Sequence, residues 1–140
     1  MGNTHTLRGF TTISYWAADL EAAKQWYTEL LGIEPYFQRP GGYYEFRIGD
    51  YQHELGLINS KYAPFDTQAN VPAGAVMYWH VDDVSATLDR LLSMGAKQLE
   101  APRDRGEGFI TASVVDPFGN ILGIMYNPHY LDVLGSAGKA

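Results

Sequence analysis

Ala17-Ala18-Asp19-Leu20-Glu21-Ala22-Ala23-Lys24-Gln25-Trp26-Tyr27-Thr28-Glu29-Leu30-Leu31-Gly32 is the most informative stretch of the chain, because its pattern returns once, from Asp82-Asp83-Val84 to Gly95. In the first copy Asp19 has the side chain of a helix N-cap, Glu21 favours the first turn, and Gly32 supplies a left-handed C-cap. Between them Leu20, Ala23, Trp26, Tyr27, Leu30 and Leu31 recur at three- and four-residue spacing, which is one buried helical face. In the second copy Asp82-Asp83 caps a helix whose apolar face is Val84, Leu88, Leu91 and Leu92. Asp82 to Gly95 repeats the spacing of Asp19 to Gly32.

Strand signals surround both helices in the same order. Residues 10–16 are β-branched or aromatic apart from Ser14 and precede the first helix; 34–38, 43–48 and 52–58 follow it, separated by Pro40-Gly41-Gly42 and Gly49-Asp50. Pro35 suits only an edge strand. Residues 75–81 precede the second helix, and 97–100, 109–115 and 121–126 follow it, the last two joined by a type I turn at Asp116-Pro117-Phe118-Gly119. The chain therefore reads as an internal βαβββ repeat. Each copy alone would expose an apolar sheet face, so the two share a core or pair with another subunit. The expected class is α+β, in a single domain over 1–132. Its modules span about 10–59 and about 75–127. A linker at 60–74 joins them, without period and with two prolines, and a small, polar, flexible tail follows at 133–140.

Composition narrows the function. Over 140 residues the apolar fraction is 46% and the charged fraction 19%, which excludes bulk disorder. Ten Lys and Arg against sixteen Asp and Glu give a net charge of −6 with no basic cluster, so nucleic acid and anionic membrane are poor partners. The absence of Cys removes disulfides, thiol nucleophiles and thiolate metal sites. No apolar run is long enough to span a bilayer and no secretory pattern opens the chain, so the expected location is cytoplasmic. Aromatics reach 14%, more than a core of this size needs, and some are expected to line a cavity.

Ala18-Asp19-Leu20, Trp26-Tyr27-x-x-Leu30-Leu31-Gly32, Glu54-Leu55, Val81-Asp82 and Asp116-Pro117-Phe118-Gly119-Asn120, in this order over residues 10 to 127, resemble the vicinal oxygen chelate superfamily. That superfamily includes glyoxalase I, extradiol dioxygenases, fosfomycin-modifying enzymes and the bleomycin-binding antibiotic resistance proteins. The resemblance implies two βαβββ modules forming a curled, cup-like mixed sheet with helices outside, in a homodimer. It also implies a divalent metal held inside the cup by His, Gln or Glu from four strands. The matching positions are Thr12, Glu54, Val76 and Gly123, of which only Glu54 can ligate a metal. A one-residue slip to Thr11, Met77, Leu122 or Ile124 repairs nothing. No metal and no other cofactor is expected.

Strand alternation then assigns the cup lining. With Thr12 go Ser14 and Trp16; with Glu54, Gln52 and Ile58; with Val76, Tyr78 and His80; with Gly123, Ile121, Met125 and Asn127. The opposite faces carry Ile13, Tyr15, Leu55, Leu57, Met77, Trp79, Val81, Leu122 and Ile124, a helix-packing core. Alternation leaves the parity of 109–115 open. The ligand-binding candidates are Trp16, Gln52, Glu54, Tyr78, His80, Ile121, Met125 and Asn127, an apolar pocket with a few polar groups.

Each candidate has a plain structural reading. His80 suits a partly buried imidazole bonded to a neighbour, and Glu54 suits a pair with Arg47. His5, His53 and His129 suit surface or packing positions; Tyr36, Phe37, Tyr43, Tyr44 and Phe46 divide between cup lining and dimer contact; 103–108 reads as a solvated hairpin loop or a lid. Two function classes follow, beside a plainer third in which the fold is retained for binding a partner. One is a metal-free small-molecule-binding protein that holds an aromatic or apolar ligand in the cup or dimer cleft. The other is an enzyme, a lyase, isomerase, hydrolase or dioxygenase-like protein using Glu54 and His80 as acid and base, or unorthodox metal ligands. No nucleophile–base–orienter set is legible, which favours binding.

Overall fold

In the computed structural model, which describes residues 10–63, 72 and 75–136, the Asp19 carboxylate accepts the Ala22 amide at 3.1 Å and starts helix α1 (Leu20–Leu31). Gly32, at φ 72°, ends it and donates its amide to the Thr28 carbonyl, a left-handed position that suits a residue without Cβ. The expected face is buried at Leu20, Ala23 and Tyr27, while Trp26 stays half-buried, edge-on to Tyr27 with ring centroids 4.8 Å apart. The helix packs on a four-stranded sheet of order β1-β4-β3-β2: β1 (Thr12–Ala17), β2 (Phe37–Arg39), β3 (Tyr43–Ile48) and β4 (His53–Asn59). β1 and β4 run parallel and the other neighbours antiparallel. Tyr15, Tyr44, Phe46, Leu55 and Leu57 form the buried layer of this unit. The Tyr44 hydroxyl donates to Glu21; that bond, with burial, pushes the Tyr44 phenol up to about 12 and ties the first turn of α1 to β3.

The chain divides between Thr67 and Gln68 into two compact units, and the second repeats the plan. β5 (Met77–His80), β8 (Ile121–Tyr126), β7 (Phe109–Val115) and β6 (Lys97–Gly106) lie in that order, with β5 and β8 parallel. Helix α2 (Val84–Ser93) buries Val84, Leu88 and Leu91, and Ala112, Val114, Leu122 and Ile124 are buried on the sheet. The structure is thus α+β with two tandem βαβββ modules and mixed sheets, as expected. Leu55-Gly56-Leu57 on β4 and Leu122-Gly123-Ile124 on β8 are matching triplets, glycine between two buried aliphatics.

Several boundaries differ from expectation. The cap of α2 is Asp83, which accepts the Ala86 amide at 3.0 Å; Asp82 is exposed. The equal spacing read from Asp82 therefore hid a shorter helix, 10 residues against 12, and Leu92 is 37% exposed beyond its buried stripe. β6 runs to Gly106, so most of 103–108 is strand and the turn is Glu107-Gly108, both at positive φ. Its charges hid it, because every residue of β6 is exposed and no alternation marks it. Gln52 sits at φ 57° in the turn before β4. Phe10 lies outside β1 and is 96% exposed. A third helix, α3 (Pro128–Ser136), takes in residues 133–136, expected as tail, and a short 3-10 turn, Ser60–Tyr62, opens the expected linker. His5, most of the rest of the linker, and residues 137–140 lie outside the described residues.

Candidate functional site

Cross-strand partners project their side chains to one face, so register defines what lies opposite α1. In the first unit the rows are Thr12, Glu54 and Arg47; then Ser14, Gly56, Glu45 and Phe37; then Trp16, Ile58, Tyr43 and Arg39. The Thr12 hydroxyl donates to Glu54 Oε1 at 2.6 Å, and Arg47 Nη1 lies 3.0 Å from Glu54 Oε2, the pairing that the sequence suggested. Glu45 accepts from the hydroxyls of Tyr36 and Tyr43, and the Arg47 guanidinium stands 4.9 Å over the Tyr36 ring. The result is a polar wall with Trp16 and Phe37 beside it.

The two carboxyl groups of this wall differ in proton affinity. The Thr12 hydroxyl, above all, holds Glu54 below the usual carboxyl range, and Arg47 adds to it against partial desolvation. Burial and then the Glu54 charge hold Glu45 above that range, and the same two causes raise Tyr43. A hydrogen bond between Glu45 and Glu54 moves them apart, so the proton the pair keeps longest resides on Glu45. The signs for stability are opposite. The Glu54 contribution is present above the ordinary carboxyl range and is lost as pH falls through its lowered value; the Glu45 contribution is present below that range and is lost as pH rises through its raised value. From about pH 4 to about pH 7, the melting temperature of Glu45→Gln relative to the parent should climb, and that of Glu54→Gln should fall. Flat differences for both variants in a melting series across this range would refute the split.

In the second unit the rows are His80, Met125, Thr111 and Arg103; then Tyr78, Gly123, Ser113 and Glu100; then Ile121, Val115 and Lys97. This resolves 109–115: Thr111, Ser113 and Val115 share the face of Gly123, and Ala112 and Val114 point to the buried layer. His80 Nδ1 accepts the Asn127 amide at 3.1 Å, and its ring stacks on Tyr130 with centroids 4.7 Å apart and 5° between planes. Asp82 Oδ1 lies 3.5 Å from His80 Nε2. Asn127 Oδ1 accepts the amides of His129 and Tyr130, which caps α3.

The expected site residues thus fall into two groups, each within its own unit. Trp16 and Glu54 share the first face; Gln52 sits in the adjoining turn, its side chain donating to the Gly49 carbonyl. Tyr78, Ile121 and Met125 share the second, while His80 Nδ1 and Asn127 Oδ1 are engaged where α3 meets β8 and the buried His80 Nε2 makes no hydrogen bond among the described residues. Sequence reading missed Glu45, although 43–47 alternates polar and apolar and the partner register of Arg47 and Glu54 points straight to it. Tyr44 and Phe46, left between cup and dimer contact, are buried on the helix side. His53 and His129 are exposed.

The donor set does not fit a divalent metal. Glu54 spends one oxygen on a hydroxyl and the other on a guanidinium, and a cation there would displace Arg47. Val76 lies ahead of β5, 40% exposed. The triplets show that Gly123 matches Gly56, and Glu54 matches Ile121, so Glu54 and Gly123 are not equivalent positions of the repeat. Among the described residues no three His, Cys, Asp or Glu gather into a metal cluster.

A model of the Glyoxalase/Bleomycin resistance protein/Dioxygenase superfamily matches residues 9–124. Among solved structures, a glyoxalase-related enzyme from Fulvimarina pelagi is similar at TM-score 0.69 and 22% identity over 87% of this chain and 90% of that one. A lactoylglutathione lyase from Agrobacterium tumefaciens is similar at TM-score 0.66 and 20% identity, over 88% and 96%. A glyoxalase/bleomycin resistance protein from Albidiferax ferrireducens T118 is similar at TM-score 0.63 and 21% identity, over 85% and 98%. At these identities the likeness is one of fold. No curated protein matches the chain.

Proposed function

We propose that this chain, which belongs to the Glyoxalase/Bleomycin resistance protein/Dioxygenase superfamily, is a metal-independent small-molecule-binding protein of the cytoplasm that works as a homodimer. Its aromatic or apolar ligand rests on the helix-free face of the first sheet. The observation that carries this reading is the Glu54 carboxylate, fixed by Thr12 and Arg47 at the end of a face that carries Glu45 in the next row and Trp16 in the row beyond it. A carboxylate keeps further lone pairs after two such contacts, and these accept a donor from a ligand whose flat body lies on the aromatic residues.

A screen of aromatic amines and phenols by thermal shift, with and without EDTA, tests it. Hits should raise the melting temperature equally in both buffers and should bind Glu54→Gln about tenfold or more weakly. Hits that vanish with EDTA, or that ignore the substitution, would sink the proposal. A second reading, acid–base catalysis, is favoured by one observation: Glu45 and Glu54 hold their protons with affinities driven apart, the arrangement that lets one carboxyl donate while its neighbour accepts. Glu45 suits that role better than His80, whose Nδ1 is already bonded to the backbone.

A further inference from the structure

In the second unit a buried hydroxyl lacks a partner. Ser113 is 1% exposed, and its Oγ makes no hydrogen bond among the described residues. Leaving such a group unpaired is costly, and it lies beside Gly123, its partner across the β7–β8 ladder. A Cβ on Gly123 would fall 2.6 Å from Cδ1 and 2.9 Å from Cε1 of Tyr78. The Tyr78 ring therefore occupies the space over the glycine. It is 40% exposed, and no hydrogen bond holds its hydroxyl among the described residues, so packing alone keeps the ring there. Two residues from Ser113 on the same face, Thr111 Oγ1 accepts Arg105 Nε at 3.0 Å, which brings the guanidinium to that face. Among the described residues no carboxylate pairs with Arg105.

We propose that the second sheet carries a subsite for a small planar carboxylic acid, with Tyr78 as its movable cover. A ring-sized ligand takes the place of the Tyr78 ring on the flat floor of Gly123 and Met125. Its carboxylate accepts from the terminal nitrogens of Arg105, while the Ser113 hydroxyl gains the partner it lacks. The charge preference is opposite to that of the Glu45–Glu54 wall, and no residue of the first unit takes part, so this subsite and the Glu54 reading stand or fall separately.

Methyl-labelled methionine reports on it directly, because Met125 lies on the proposed floor, Met77 on the opposite face of β5, and Met94 at the end of α2. Benzoate, titrated into the full chain and followed by methyl NMR, should shift the Met125 signal in a saturable way and leave Met77 and Met94 in place. Arg105→Gln should weaken that binding about tenfold and Ser113→Ala about fivefold, while neutral benzamide should be indifferent to Arg105→Gln. Both substitutions sit in a strand and are small, and the dispersion of the methyl signals shows directly that each variant is folded. Absence of a Met125 shift up to the solubility limit of benzoate overturns the subsite. So does a shift of equal affinity in Arg105→Gln.

Discussion

Asp116→Ala should cost the second unit about 3 kcal/mol of stability, read from urea unfolding, because two part-buried amides lose a buried, charged acceptor together. Asp116 is 3% exposed. Its Oδ1 accepts the amides of Phe118 at 2.9 Å and Asn120 at 2.8 Å, and Oδ2 accepts Asn120 Nδ2 at 3.1 Å. Its own amide donates to the Asn120 carbonyl, which closes the β7–β8 turn with Gly119 at φ 95°. Asp116→Asn keeps an oxygen in the place of Oδ1 and should recover more than half of the loss. A change below about 1 kcal/mol in the alanine variant would show that the turn is held by the chain alone.

Phe46→Ala should lower the stability of the first unit by about 3–5 kcal/mol. Its ring is wholly buried, on the helix side of β3 between its partner Leu55 and the residues under α1. Removing it deletes transfer energy and leaves a cavity that Tyr44 cannot fill, since the Tyr44 hydroxyl is bonded to Glu21. Phe46→Leu, which retains most of the volume, should cost less than half as much by the same measurement. Equal losses for the two variants would contradict a close-packed layer at this point.

The repeat was legible because caps and apolar stripes are local. Asp19, Gly32 and the α1 stripe are each satisfied within four residues, and the three strands at 43–48, 109–115 and 121–126 have the bounds that alternation marks. Legibility failed where the signal was shared or flattened. Asp82-Asp83 offers two caps to one helix, and the helix starts from Asp83. β6 is exposed throughout and carries no period, and α3 opens at Pro128 behind a cap, Asn127, that sequence reading assigned to the ligand. The face of Glu54 was readable from β1 and β4, yet Glu45 was not, because its role depends on pairing across β3 rather than on spacing along it. Ser113 stayed hidden for the same reason, since the parity of β7 is set by β8.

The parallel pairing of β1 with β4 constrains the order in which the first unit assembles. Thr12 and Glu54 are 42 residues apart along the chain, whereas β3 and β4 are joined across a short turn between Ile48 and His53. Closing a long loop carries an entropic penalty that a hairpin avoids. A β3–β4 hairpin formed first would offer β1 an edge whose side-chain pattern already exists. Its register is selected at that moment, since a slip by one residue would turn Tyr15 away from the helix and separate Thr12 from Glu54. Folding kinetics would then show Tyr15→Phe and Thr12→Ala accelerating unfolding with little effect on the folding rate; a slowed folding limb for both would place β1 in the nucleus instead. A single hydroxyl–carboxylate contact at the edge of the sheet thus ties the register of β1 to that of β4.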